Sequence, residues 1–190
     1  MRHLTFIIAI GWIIFWIYWI VSARQSKIGT PTNIGQFFAV RLAIWPLAIL
    51  LALVFNHLPD SLKNHYQNEI HNHAVMATGF LIFLLGFIIA IWARRHLGKN
   101  WGMPMTKKQA PELVTSGPYS YIRHPIYTGI LLMVLGSFLI VNMYWLIVFI
   151  IASVYFIYSA FAEEKLMMQQ FPKVYPSYKA KTKMLIPLVF

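Results

Sequence analysis

Side chains able to do chemistry gather in two places in this sequence. The first is the run LVTSGPYSYIRHPIYTG, residues 113–129, which holds Tyr119, Tyr121, Arg123, His124 and Tyr127. The second is the pair Glu163-Glu164, two of only five acidic residues in the chain. A carboxylate accepts hydrogen bonds from an ammonium group or from sugar hydroxyls, while Arg123 and His124 suit a carboxylate. Together the two segments could hold a small ligand bearing an amino group, a carboxylate and hydroxyls. Gly117-Pro118 marks a turn, and Pro125 stands where a first-turn helix proline loses no hydrogen bond.

The elements that position these groups are membrane helices. Of 190 residues, 59% are hydrophobic and 11% charged, too little polar surface for a soluble globule. Five apolar runs, at residues 4–21, 37–55, 74–93, 125–141 and 144–162, are each long enough to span a bilayer. The expected architecture is an all-α integral membrane domain covering residues 1–190, with a polar tail at 163–190. Residues 4–21 lack a small-x-small cleavage site, so a retained span is expected rather than a signal peptide. Arg41 opens the second run and Pro46 should kink it. Gly79 and Gly86 permit close helix approach in the third. Only Asn142 and Met143 separate the last two runs, which implies an antiparallel hairpin.

Charge gives the orientation. The segments 22–36, 94–124 and 163–190 hold 13 of the 16 lysines and arginines. The positive-inside rule places the N-terminus outside and both chemistry-bearing segments in the cytoplasm, the inner membrane if the source is prokaryotic. The same rule and attraction to anionic lipid explain the net charge of +11 without nucleic acid.

Several chemistries are excluded. With no cysteine there is no disulfide, thiolate metal site or cysteine nucleophile. His57, His65, His71 and His73 fit no compact ligand spacing and read as a hydrated loop, so no metal is expected. No G-x-G-x-x-G, Walker A, G-x-S-x-G or H-E-x-x-H signature occurs. From composition and spacing the reading stops at a membrane protein with a cytoplasmic polar site.

The run GPYSYIRHPIYTG, with LGKNW upstream and Glu-Glu then YPSYK downstream, resembles the isoprenylcysteine carboxyl methyltransferase family, a relative of the phospholipid methyltransferases. The resemblance covers the chain from about Trp92 onward; earlier residues match only in being hydrophobic. It implies an S-adenosylmethionine-dependent methyltransferase of the membrane, acting on a lipophilic or prenylated substrate drawn from the bilayer. It assigns Glu112, Leu113 and Val114 to the adenine side of the cofactor and Tyr119 to the residue after the turn. His124, Pro125, Ile126 and Tyr127 fall on the element holding the methionine end. Glu163 matches the cofactor-binding glutamate, with Glu164 as the alternative, and Arg123 with His124 would position the ligands.

One position departs from the pattern. Where the prenylcysteine enzymes carry an arginine for the substrate carboxylate, about a turn before the glutamate, this chain has Ser159. Arg123, Arg94 or Arg95 would have to replace it. The expected acceptor is the carboxylate of an isoprenylated cysteine or a similar acid, with a phospholipid or other amine as the alternative. A non-catalytic membrane protein that keeps the fold is the reading from a different class. Substrate is expected to enter laterally, between the third span and the 125–162 hairpin.

Overall fold

A computed structural model describes residues 2–24, 29–31, 57–59, 61, 72–101, 106–108 and 112–187. Four long apolar helices dominate: α1 (Arg2–Ala23), α2 (His73–Leu97), α3 (Pro125–Ile140) and α4 (Tyr144–Gln170), followed by the short α5 (Tyr175–Lys181). α1, α2 and α4 are long and apolar enough to cross a membrane; α3 is apolar but shorter. Their outward faces present Ile13, Ile17, Leu81, Ile88, Val154 and Phe161, as expected for lipid contact. Residues 37–55, the predicted second span, and His65 and His71 lie outside the described residues.

Local signals explain the boundaries. The Asn72 side chain caps α2, accepting from the Ala74 amide at 2.9 Å. Gly98 ends it at φ +52°, with Arg94, Arg95 and His96 in the last turn, where cations complement the helix dipole. The helix therefore includes residues assigned to a loop by their charge. Pro125 opens α3 as predicted. Asn142 makes the α3–α4 hairpin turn, its side chain accepting from the Tyr144 amide at 3.1 Å.

The helix that carries the last predicted span outruns it. Glu163 and Glu164 do not mark a helix terminus: α4 continues to Gln170. EEKLMMQQ consists of strong helix formers, and nothing in it breaks the ladder. Not every element is helical either. Gly29–Pro31 (β1) pairs antiparallel with Thr106–Lys108 (β2), in the register Thr30 to Lys107. This ladder ties together two segments read as plain loops.

The helices pack around two points. α2 and α3 run antiparallel and touch through glycines: a Cβ at Gly86 would lie 2.5 Å from the Gly129 carbonyl oxygen, and one at Gly136 2.5 Å from that of Gly79. Along these glycines the α2–α3 seam is closed by backbone. α1 lies parallel to α2, burying Ile8 and Phe15 with Phe83, Ala90 and Met133. The Trp12 indole donates to Ser137 Oγ at 3.0 Å, and the Arg94 guanidinium donates to the Ser22 carbonyl at 2.6 Å. These bonds fix the depth of α1 beside α2 and α3, and bring the C-terminal ends of α1, α2 and α4 to the start of α3.

Candidate functional site

At that end lies a cavity of about 330 Å³, within the range of small-molecule sites. Its polar part is built on the first turn of α3 and the late turns of α4. Tyr127 donates its hydroxyl to Glu163 Oε1. His124 Nδ1 lies 3.6 Å from Glu163 Oε2, and its ring is parallel to Tyr127 at 5.3 Å. Tyr127 in turn stacks on Phe156 at 4.6 Å. The stack holds three rings in order and aims the tyrosine at the carboxylate. His124 Nε2 is buried, without a hydrogen-bond partner among the described residues, 3.7 Å from Glu164 Oε1.

The GPY turn forms the adjoining wall. Gly117 sits at φ +60°, and a Cβ there would come within 2.8 Å of the His96 ring. Glycine is therefore required twice over, by conformation and by space. His96 Nε2 bonds Ser116 Oγ at 2.9 Å and its ring stacks over Tyr119. Burial pushes the Tyr119 and Tyr175 phenols above their ordinary ionisation range, so both stay neutral donors. Asn100 donates to Glu112 at 2.9 Å, placing Glu112, Leu113 and Val114 on the rim.

Of the residues expected from the sequence, Glu112, Leu113, Val114, Tyr119, Arg123, His124, Ile126, Tyr127 and Glu163 all line this cavity. Pro125 and Glu164 do not. Pro125 is buried as the first residue of α3, and Glu164 is turned away into an ion cluster. Arg123 Nε pairs with Glu164 Oε1 at 2.6 Å, and Lys179 Nζ with Glu164 Oε2 at 2.7 Å. Arg123 also donates to the Thr182 and Lys179 carbonyls. Of the three named substitutes for the missing arginine, Arg123 and Arg94 are committed to protein partners and Arg95 lies off the cavity. Arg94 is 2% exposed, bonded to Ser22 and Gly98 and lying over Trp101 at 4.7 Å. Arg95 is exposed and off the cavity. Ser159 is fully buried, also off the cavity.

The walls that sequence reasoning missed come from the two ends of the chain. Trp16 and Trp19 of α1, with Trp101, Tyr155 and Phe156, make the opposite part aromatic, and Tyr175 and Tyr178 enter from α5. Trp16 and Trp19 look like interfacial belt residues in the sequence; only their four-residue spacing from Trp12 and Phe15 respectively puts them on one helix face. No group of three or more His, Cys, Asp or Glu able to hold a metal occurs among the described residues.

Known proteins resemble this chain in sequence and fold. The family model for phospholipid methyltransferases matches residues 74–174. The protein-S-isoprenylcysteine O-methyltransferase of Saccharomyces cerevisiae is 28% identical over 189 residues, covering 97% of this chain and 79% of that protein. The likeness thus reaches α1, beyond the region where the resemblance was first placed. The nickel-cobalt-cadmium resistance protein NccN of Alcaligenes xylosoxydans xylosoxydans is 25% identical over 111 residues, covering 56% of this chain and 45% of that one. A solved eukaryotic intramembrane Ras methyltransferase, the isoprenylcysteine carboxyl methyltransferase ICMT, shares the fold at a TM-score of 0.58 and 18% identity. That match covers 83% of this chain, which spans 54% of the other. With a family match across more than half its length, this chain belongs to the phospholipid methyltransferase family and is an integral membrane methyltransferase.

Proposed function

We propose that this protein moves a methyl group from S-adenosylmethionine to a lipophilic acceptor at the cytoplasmic membrane surface. The first candidate acceptor is the carboxylate of an isoprenylated cysteine or a similar acid. One observation carries the reading: a single cavity has the Glu163–Tyr127–His124 cluster in one part and Trp16, Trp19 and Phe156 in another. The yeast relative, a protein-S-isoprenylcysteine O-methyltransferase, supports the same choice of acceptor.

The donor set fits the cofactor. Glu163 keeps one carboxylate oxygen that takes no hydrogen bond from Tyr127, and its side chain is 25% exposed; it suits an ammonium or ribose hydroxyls. The 112–114 strip offers backbone and apolar side chains to a flat base. When bound, S-adenosylmethionine supplies an electrophilic sulfonium methyl: the S–CH3 bond breaks as the bond to the acceptor forms, leaving a thioether. The protein's part is alignment and exclusion of water by the aromatic wall. A carboxylate acceptor needs no base, whereas an ammonium must first lose a proton.

A second reading, methylation of a lipid amine, has its own observation. Arg94 and Arg123 are spent on protein partners and Ser159 is buried, so the carboxylate lacks the cation that the resemblance leads one to expect. Calorimetry of detergent-purified protein with S-adenosylmethionine tests the shared part. Saturable binding weakened by His124→Ala and Glu163→Gln is expected, and folded wild type that fails to bind refutes it. Labelled methyl transfer to a farnesylcysteine analogue or to phosphatidylethanolamine then separates the two acceptors.

A further inference from the structure

Glu163 and Glu164 are adjacent on α4, and a 100° helical step turns them to different neighbours. Glu163 faces the cavity. Glu164 is 2% exposed, and its two oxygens meet Arg123 and Lys179. Lys179 belongs to α5, so Glu164 joins the last long helix to the C-terminal segment. Arg123 reaches the same segment through the Lys179 and Thr182 carbonyls. The backbone follows: the Arg123 amide donates to the Lys183 carbonyl at 2.8 Å and the His124 amide to that of Met184 at 3.1 Å. Thr128 Oγ1 donates to the Leu185 carbonyl at 2.7 Å. The docked segment carries Tyr175 and Tyr178 into the cavity wall, and the Tyr178 hydroxyl bonds the Tyr119 carbonyl at 2.7 Å.

We propose that Glu164 and Lys179 are positioning residues: an ion-pair latch that holds the C-terminal segment as a wall of the ligand cavity. Through that segment the latch sets His124 against Glu163. Glu164 is thereby an anchor, not a ligand-binding carboxylate. The chemistry gives the latch its asymmetry. Glu164 is too buried to be left unpaired, so Arg123 keeps it company whatever the tail does. Lys179 is 45% exposed, its partnership is open to water, and it is the half that lets go.

The test reads the tail and the ligand separately, because only the ligand part rests on the proposed cofactor. Full-length protein with a C-terminal tag is digested with trypsin and tag loss is scored by fragment mass at Lys181 and Lys183, which lie in the docked segment, because Lys179 is itself a trypsin site that Lys179→Met removes. Lys179→Met should speed tag loss by about tenfold or more, the factor that corresponds to ~1.4 kcal/mol of opening, while cleavage at exposed Arg95 stays unchanged. Lys179→Arg keeps the cation and should restore protection. In calorimetry the Met variant should bind S-adenosylmethionine about tenfold more weakly and the Arg variant like wild type. Equal protection of the tail in wild type and Lys179→Met overturns the latch, as does a Lys179→Arg variant as labile as Lys179→Met. A released tail with unchanged ligand affinity overturns its role as a wall. A released tail in a protein whose wild type binds no S-adenosylmethionine refutes the cofactor and leaves the latch standing.

Discussion

Gly86→Ala is the smallest change that should damage the site from a distance. The new Cβ would lie 2.5 Å from the Gly129 carbonyl oxygen, 2.7 Å from the Met133 nitrogen and 2.8 Å from Leu132 Cβ. Two of these are backbone atoms of α3 and cannot swing aside. Ordinary contact begins at 3.4 Å, so the helices must part by about 0.9 Å. α4 carries Glu163 and does not follow, so Tyr127 and His124 are drawn off the carboxylate they face. Overpacking of this kind costs about 1–3 kcal/mol. A displacement near 1 Å at reacting groups costs on the order of 10²-fold in rate. Methyl-transfer turnover and thermal melting in detergent measure both. Gly11→Ala is the control: its Cβ would meet only the tip of the Phe83 ring, at 2.7 Å, and a ring can rotate. Wild-type melting and turnover in Gly86→Ala would refute the backbone-seam reasoning, as would an equal loss in Gly11→Ala.

Other outcomes follow from the cluster geometry. Tyr127→Phe keeps both ring stacks but removes the hydroxyl on Glu163; a charge-assisted bond worth about 1.5–3 kcal/mol of stability is lost, so thermal melting should fall, and calorimetry should show weaker ligand binding by a Glu163 no longer held in place. The two glutamates should separate by assay. Glu164→Gln strips a buried carboxylate from two cations and should lower stability by about 3–5 kcal/mol, whereas Glu163→Gln should melt like wild type and lose binding. The Tyr178 phenol, pushed up to about 12 chiefly by burial, favours the folded state while protonated. Its stabilisation is complete below pH 10 and declines as pH rises toward 12, so thermal melts should fall across that window less steeply in Tyr178→Phe.

The membrane helices were legible because hydrophobic length is read directly from composition. α1 exceeds its predicted 4–21 by two residues at each end, and the hairpin turn falls where two residues separate the runs. Nine of the eleven named site residues reached one cavity because GPY and His-Pro constrain the backbone locally. The errors share one cause. In a sequence, charge reads as the end of an apolar helix, yet Arg94 and Glu164 are buried inside helices, each satisfied by partners far away in sequence. Partners such as the Ser22 and Thr182 carbonyls are backbone atoms with no sequence signature.

The location of those partners bears on specificity. The family match spans residues 74–174 and includes His124, Tyr127 and Glu163, the groups that would face a common cofactor. Trp16 and Trp19 precede it and Tyr178 follows it, and these complete the cavity. The tail is bonded to Arg123 and His124 on the cofactor side, so if cofactor handling resides in the shared segment and the tail docked on it, acceptor choice is left to α1. Trp19→Ala should therefore lower kcat/KM for the lipophilic acceptor while leaving S-adenosylmethionine affinity within about twofold, since an aromatic removed from an apolar wall costs ~1–3 kcal/mol of chain discrimination. Acceptor kinetics at saturating cofactor provide the measurement. Loss of cofactor binding in Trp19→Ala, with acceptor selectivity intact, would reverse this division of labour.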